Sequence, residues 1–315
     1  MAVIDLIQKE SRTAFSFEVL PPLKGTGVST LFADIDCLSE FHPLYINITT
    51  HCNEVAYKEL PNGTFEKYNL RRRPGTVAIA SAIHNRYGIT TVPHIVCSGN
   101  TKEQIENMLL DLQYLGINDL LVLRGDRPTF KSSQKFSGWN YALELEEQIN
   151  RFNKGEFIDG SVSKQISSTF HYGVAGYPER HAESPNLNQD ISWLKKKVEC
   201  GAEYIVTQMF FDNKKYFDFV DRARQEGIKI PIIPGIKPFT KLSQLHTLPK
   251  TFNVELPDEI TGELLRCKTD EEVKQLGIEW GIQQCKELID HKALSIHFYS
   301  MGATESIRKI AQAIY

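Results

Sequence analysis

Short apolar runs rich in branched and aromatic residues alternate along the chain with stretches whose apolar residues recur every three or four positions. The runs are FSFEVL (15–20), YINITT (45–50), VPHIVC (92–97), DLLVLRG (119–125), FHYGVAGY (170–177), YIVTQMF (204–210), PIIPGIK (231–237) and LSIHFYS (294–300). Their length and bounding turn residues predict eight strands. Between them, TKEQIENMLLDLQYLG sets Ile105, Met108, Leu109 and Leu112 on one helical face, with Thr101 as N-cap and Gly116 at the C-terminal end. NQDISWLKKKVECGA and KKYFDFVDRARQEG follow the same plan and also reach a glycine at their ends. Strand–helix alternation implies a parallel sheet, since a parallel neighbour is reached only through a crossover. Eight strands in 315 residues predict an α/β fold, a (β/α)8 TIM barrel forming a single domain over 1–315, rather than an open doubly wound sheet. The stretch 249–290 is longer than one crossover needs and reads as an insertion or an extra helix, helical in its second half.

In such a barrel the chemistry sits at the carboxyl ends of the strands. Those positions hold Glu18, Thr49, His94, Arg124, Asp126, Tyr177, Gln208 and Tyr299. Singly, each has an ordinary structural reading. Thr49 and Gln208 suit satisfied core polar groups, and His94 suits a hydrogen-bonded structural histidine. Arg124 and Asp126 suit a local ion pair, and Tyr177 and Tyr299 suit packing at the barrel mouth. Together, at one end of one barrel, they point to a pocket. Glu18 stands out because Phe15, Phe17, Val19 and Leu20 surround it and Pro21–Pro22 close the strand. A carboxyl group there is costly to bury unless it is paired or protonated.

Composition narrows the function classes. With 41% apolar and 24% charged residues, the chain has the make-up of a soluble globular protein. The net charge of −3, with no basic run longer than Arg71–Arg73 or Lys195–Lys197, gives no expectation of a nucleic-acid partner. No apolar run has membrane-spanning length, and MAVIDLIQKESR lacks the apolar core of a secretory signal. Six cysteines without a CxxC pair point to reduced thiols in a cytoplasm, and nine histidines without HExxH suggest no metal site. GTGVST at 25–30 lacks the third glycine of a dinucleotide turn, and neither GxxxxGK[ST] nor GxSxG occurs. On the residues alone, the expectation is a cytoplasmic barrel enzyme with an acid–base pocket.

FSFEVLPP, VPHIVC, LVLRGDRP, GVAGYPERH, KKKVECGAEYIVTQMFFD, PIIPGIKP and HFYS, in that order, resemble the methylenetetrahydrofolate reductase family from about residue 12 to the C-terminus. The resemblance implies a catalytic barrel without a regulatory domain. It implies non-covalent FAD that passes hydride from NADH or NADPH to 5,10-methylenetetrahydrofolate, giving 5-methyltetrahydrofolate for methionine synthesis. Position by position, it implies Glu18 as the acid that protonates N10 when the imidazolidine ring opens. Asp126 would lie between flavin and folate, and Gln208 and Tyr299 would contact the folate. Thr49, His94, Arg124, Gly125, Asp126, Tyr177, His181, Asp190 and Lys197 would hold FAD, with Arg124 and Lys197 as phosphate partners. A homo-oligomer is expected. Thr50, Trp193 and the MGATES run after HFYS depart from well-studied bacterial forms, which leaves the donor open among NADH, NADPH and an electron-transfer protein. Two other classes compete: a related flavin barrel oxidising an amine such as proline, and a folate- or flavin-binding subunit without turnover. Glu18 with Asp126 argues against the first, because amine oxidation needs no proton donor for ring opening. The presence of Glu18, Asp126 and Gln208 together disfavours the second.

Overall fold

In the computed structural model, which describes residues 1–50, 54–125 and 138–315, the eight predicted runs close into one barrel. Helix α1 (Val3–Lys9) precedes β1 (Ala14–Val19), and α2 (Ser29–Leu38) leads to β2 (Tyr45–Ile48). A hairpin of β3 (Glu54–Glu59) and β4 (Phe65–Leu70) comes before α3 (Thr76–Tyr87). Regular alternation follows through β5 (Thr90–Val96), α4 (Lys102–Tyr114), β6 (Asp119–Leu123), α5 (Ala142–Asn153), β7 (His171–Gly176), α6 (Leu187–Cys200), β8 (Tyr204–Met209), α7 (Asn213–Gln225) and β9 (Ile232–Ile236). Three helices, α8 (Gln244–Phe252), α9 (Asp258–Leu264) and α10 (Asp270–Asp290), then intervene before β10 (Ser295–Tyr299) and α11 (Thr304–Ile314). Strand β1 pairs in parallel with both β2 and β10, which closes the ring in the order β1-β10-β9-β8-β7-β6-β5-β2.

The period-2 alternation of each strand separates two environments. Phe15, Phe17, Val19, Ile46, Ile48, Ile296 and Phe298 point outward and pack against helix residues such as Ile35, Leu38, Ile83, Leu109, Leu112 and Leu288. Burying each of these side chains contributes about 1.5–3 kcal/mol before entropy is counted. The helices end where their capping chemistry directs. Thr101 accepts from the Gln104 amide while the Gln104 side chain accepts from the Thr101 amide, and Gly116 follows the helix with φ of +71°.

The inward face is stratified. At the amino-terminal end of the strands, Val3 and Ile7 of α1 pack on Tyr45, Val92, Leu121, Tyr204, Val206 and Ile233, closing that end. The Val3 amide donates to Asp119 Oδ1 at 2.8 Å. The carboxyl end stays open to polar residues. The 249–290 stretch supplies the expected extra helices: Val254, Ile260, Leu264 and Val273 build a third core with Leu248, Met209, Phe211 and Phe239.

Two features differ from the sequence pattern. Hairpin β3–β4 was not expected as strand, and it exposes Tyr57, Phe65 and Tyr68. None of its described side chains is buried, so it lacks the apolar face that the sequence pattern detects. In addition, β6 stops at Leu123 and β7 at Gly176, so Arg124, Gly125 and Tyr177 stand in the loops past the strands.

Candidate active site

Neighbouring strands place Glu18 in a row of buried polar side chains. Glu18 is paired in register with Tyr299 of β10 on one side and Asn47 of β2 on the other. Strand β9 pairs Gly235 with His297 and Ile236 with Phe298, so the next residue, Lys237, comes level with Tyr299. Glu18, Asn47 and Lys237 are 6%, 0% and 3% exposed, which removes all three from bulk water. Burial pushes the Glu18 carboxyl up to about 8, and the Lys237 ammonium opposes the rise. Burial pulls Lys237 down to about 8, and Glu18 opposes the fall. At neutral pH Glu18 therefore keeps its proton and Lys237 its charge. Among the described residues, the Lys237 Nζ and both amide atoms of Asn47 have no hydrogen-bond partner. Buried polar atoms left in that state cost about 1–3 kcal/mol each unless a ligand or water completes them.

Beneath this row the interior is packed and neutral. The Tyr299 hydroxyl donates to the Thr207 carbonyl, and its ring lies across Gly235, where a Cβ would come within 2.5 Å of Tyr299 Cε2. His297 sits 3.0 Å from Ser16 Oγ and stacks on Tyr45 with an interplanar angle of 8°. Burial pulls its imidazole down to about 3, so it is neutral. On the β2–β5 side, the Thr49 hydroxyl donates to Val19 O at 3.3 Å, and the Thr50 hydroxyl donates to the carbonyl of the buried His94 at 2.6 Å. The Gln208 Oε1 accepts from the Met209 amide at 2.9 Å.

A second cluster forms where β6 and β7 meet α6. Arg124 Nη1 pairs with Glu183 Oε2 at 2.6 Å, and its Nη2 lies 3.5 Å from His181 Nε2. Gly125 has φ of +79° and lies so close to Val96 and Ser98 that an added Cβ would meet their Cβ atoms at 3.1 and 3.3 Å. Both features favour glycine there. Asp190 accepts from the His181 amide at 2.6 Å and from the Ser184 hydroxyl at 2.9 Å, which fixes the loop after β7. The Tyr177 and His181 rings meet edge to face at 4.9 Å. Lys197 reaches from α6 to donate to the Ala175 carbonyl at 3.1 Å. Burial lowers its proton affinity, and Glu146 and Asp190 oppose that fall. Glu146 of α5 is fully enclosed, and burial pushes its carboxyl up while the Lys197 ammonium opposes the rise. Burial, reinforced by Arg124, lowers His181 and leaves it neutral. Arg124 and Lys197 thus share this arc with the Tyr177 and His181 rings.

The structure therefore gathers Glu18 and Tyr299 into one group and Arg124, Gly125, Tyr177, His181, Asp190 and Lys197 into another, with Thr49, His94 and Gln208 on the strands between. Asp126 lies outside the described residues, and so does the expected pairing of Arg124 with it; the acidic partner Arg124 shows is Glu183. Asn47 and Lys237 are not among the residues the sequence pattern singles out. Asn47 occupies the inward period of Tyr45 and Thr49, and Lys237 occupies a strand end, so the rule that selects Glu18 also reaches Lys237. A separate groove of about 830 Å³, lined by Glu179, Lys215, Arg222, His246, Asn253 and Leu265 among others, contains none of these residues.

A family model described as methylenetetrahydrofolate reductase matches residues 3–315. Methylenetetrahydrofolate reductase (NADH) 1 of Arabidopsis thaliana is 32% identical over 97% of this chain and 49% of its own length. The 5,10-methylenetetrahydrofolate reductase of Pectobacterium carotovorum is 29% identical over 95% of this chain and 89% of its own. The chain thus spans about half the length of the plant relative and most of the bacterial one. Among solved structures, an uncharacterised protein from Clostridium thermocellum that binds two copies of 5-methyl-5,6,7,8-tetrahydrofolic acid matches with a TM-score of 0.56. Its identity is 13%, over 98% of this chain and 97% of that one, a likeness of fold alone.

Proposed function

The chain belongs to the methylenetetrahydrofolate reductase family, and we propose that its barrel reduces 5,10-methylenetetrahydrofolate to 5-methyltetrahydrofolate, using non-covalent FAD and a reduced nicotinamide and so supplying methyl groups for methionine synthesis. The observation that carries this reading is the burial of the Glu18 carboxyl at the carboxyl end of β1, which pushes it up to about 8, beside polar atoms with no hydrogen-bond partner among the described residues. Reduction of the one-carbon unit requires the imidazolidine ring to open, and opening requires a proton on N10. A carboxyl that burial holds protonated at neutral pH supplies it. Asn47, in register with Glu18, offers a donor and an acceptor suited to the polar edge of a pterin. Gln208 and Tyr299 are proposed as further folate contacts. The Tyr299 hydroxyl proton is committed to Thr207, so its part is the ring face and the oxygen lone pair. Asp126 is proposed to sit between the two ligands, where its charge would act on both.

When bound, FAD supplies the hydride carrier that links nicotinamide to folate. The arc around β6 and β7 has the donor set such a group needs. Arg124 and Lys197 are proposed as the basic partners of a diphosphate, and among the described residues Lys197 commits one of its N–H donors, to the Ala175 carbonyl. The Arg124–Glu183 pair is partly exposed, at 21% and 38%, so a phosphate competes with it at little cost. Tyr177 and His181 give a ring wall, Gly125 a close backbone approach, and Asp190 braces the loop, with Thr49 and His94 on the adjoining rim.

Titration of the purified protein with FAD, followed by flavin absorbance after gel filtration, tests the reading. The expected result is one retained FAD per chain, and retention weakened by roughly one to two decades in Arg124→Ala and Lys197→Ala, as losing a charge-assisted contact implies. Protein that takes up no FAD contradicts the proposal.

A further inference from the structure

Lys237 has no place in the resemblance, yet the fold spends considerable free energy on it. It is 3% exposed, its Nζ has no acceptor among the described residues, and it directly follows β9, level with Tyr299. Glu18 is level with the same tyrosine from the other side. An apolar residue of this length would satisfy the packing without the cost of burying an ammonium.

We propose that Lys237 is a positioning residue for the acid step, placed across Tyr299 from Glu18 so that its ammonium stabilises the carboxylate left when Glu18 gives up its proton. The inference rests on the reading above, in which Glu18 protonates N10. In that step the Glu18 O–H bond breaks as the N10–H bond forms. The electron pair stays on the carboxylate, no electrons are transferred, and Lys237 keeps its protons. Burial alone favours the neutral carboxyl so strongly that the proton would be hard to release. A cation on the neighbouring strand end, with no other partner among the described residues, brings the carboxylate within reach.

The other groups around Glu18 do not supply this charge. On β10, Tyr299 is held protonated by burial and His297 neutral. Asn47 on β2 and Ser16 on β1 are uncharged, and Tyr45 on β2 is kept protonated by burial. His94 on β5 acts on His297. Among the described residues, Lys237 is the charged group that acts on the Glu18 carboxyl.

The test is an infrared titration of the protonated-carboxyl band that Glu18→Gln abolishes, in wild type, Lys237→Met and Lys237→Arg. Methionine keeps the length and removes the charge. The proposal expects the band to persist to higher pH in Lys237→Met, with a midpoint raised by roughly 1–3 units, and to return toward the wild-type midpoint in Lys237→Arg. An unchanged midpoint in Lys237→Met overturns it. If that variant does not fold, Lys237→Gln provides the same comparison. The titration needs neither flavin nor folate. Failure of the wild-type protein to reduce methylenetetrahydrofolate would thus strike the proposed function, whereas an unmoved midpoint strikes only the role of Lys237.

Discussion

Glu18 is costly to the fold for the same reason that it suits the chemistry. Its proton affinity rises from an ordinary carboxylate value of 4.5 when unfolded to about 8 when folded. Between those limits the folded state binds more protons than the unfolded one, so stability falls as pH rises through the window. Glu18→Gln removes that dependence while keeping the shape. Urea unfolding of both proteins from pH 5 to pH 8 should show the variant gaining on wild type as pH rises, and a constant difference would mean that Glu18 is not protonated in the native state. The oddness of this residue is legible from its neighbours, because a carboxyl between phenylalanines needs an explanation. Lys237 is harder to read. A lysine just past a strand usually carries its ammonium out to water, and only the register of β9 against β10 shows it turned inward.

At the scale of elements, the alternation of runs and helices was enough to read a closed parallel barrel, since eight crossover units leave few other solutions. The same logic passed over hairpin β3–β4, whose exposed aromatics and alternating charges mimic a loop. It also passed over α1 as a barrel plug, because only tertiary contact shows that Val3 and Ile7 meet Tyr204 and Ile233. The short apolar strand β9 contains a glycine whose reason is likewise tertiary. Gly235 admits the Tyr299 ring and lies against the Thr207 carbonyl, so a methyl group there forces one of them to move. Gly235→Ala is expected to destabilise the protein by about 1–3 kcal/mol through overpacking. Chemical denaturation measures this directly, and an unperturbed midpoint would show that Tyr299 does not lie across β9 in solution.

Across the whole molecule, one end of the barrel is sealed by apolar packing and the other is divided between two chemistries. In the ring of eight strands, β1 stands opposite β7. The protonated acid and its lysine therefore lie on one arc of the mouth, and the cations Arg124 and Lys197 lie on the facing arc. In the proposed function, a ligand pair that spans the mouth would meet phosphate-binding charge at one side and a proton donor at the other. In this account Glu18 acts only where folate is involved, and anaerobic stopped-flow measurement of Glu18→Gln loaded with FAD tests that most directly. Flavin bleaching by reduced nicotinamide should proceed close to the wild-type rate, because hydride arrives without a proton from Glu18. Return of the oxidised flavin colour on mixing with methylenetetrahydrofolate should slow by the ~10²–10⁴-fold typical of losing a general acid. Recolouring at the wild-type rate, or equal slowing of both steps, would contradict the account.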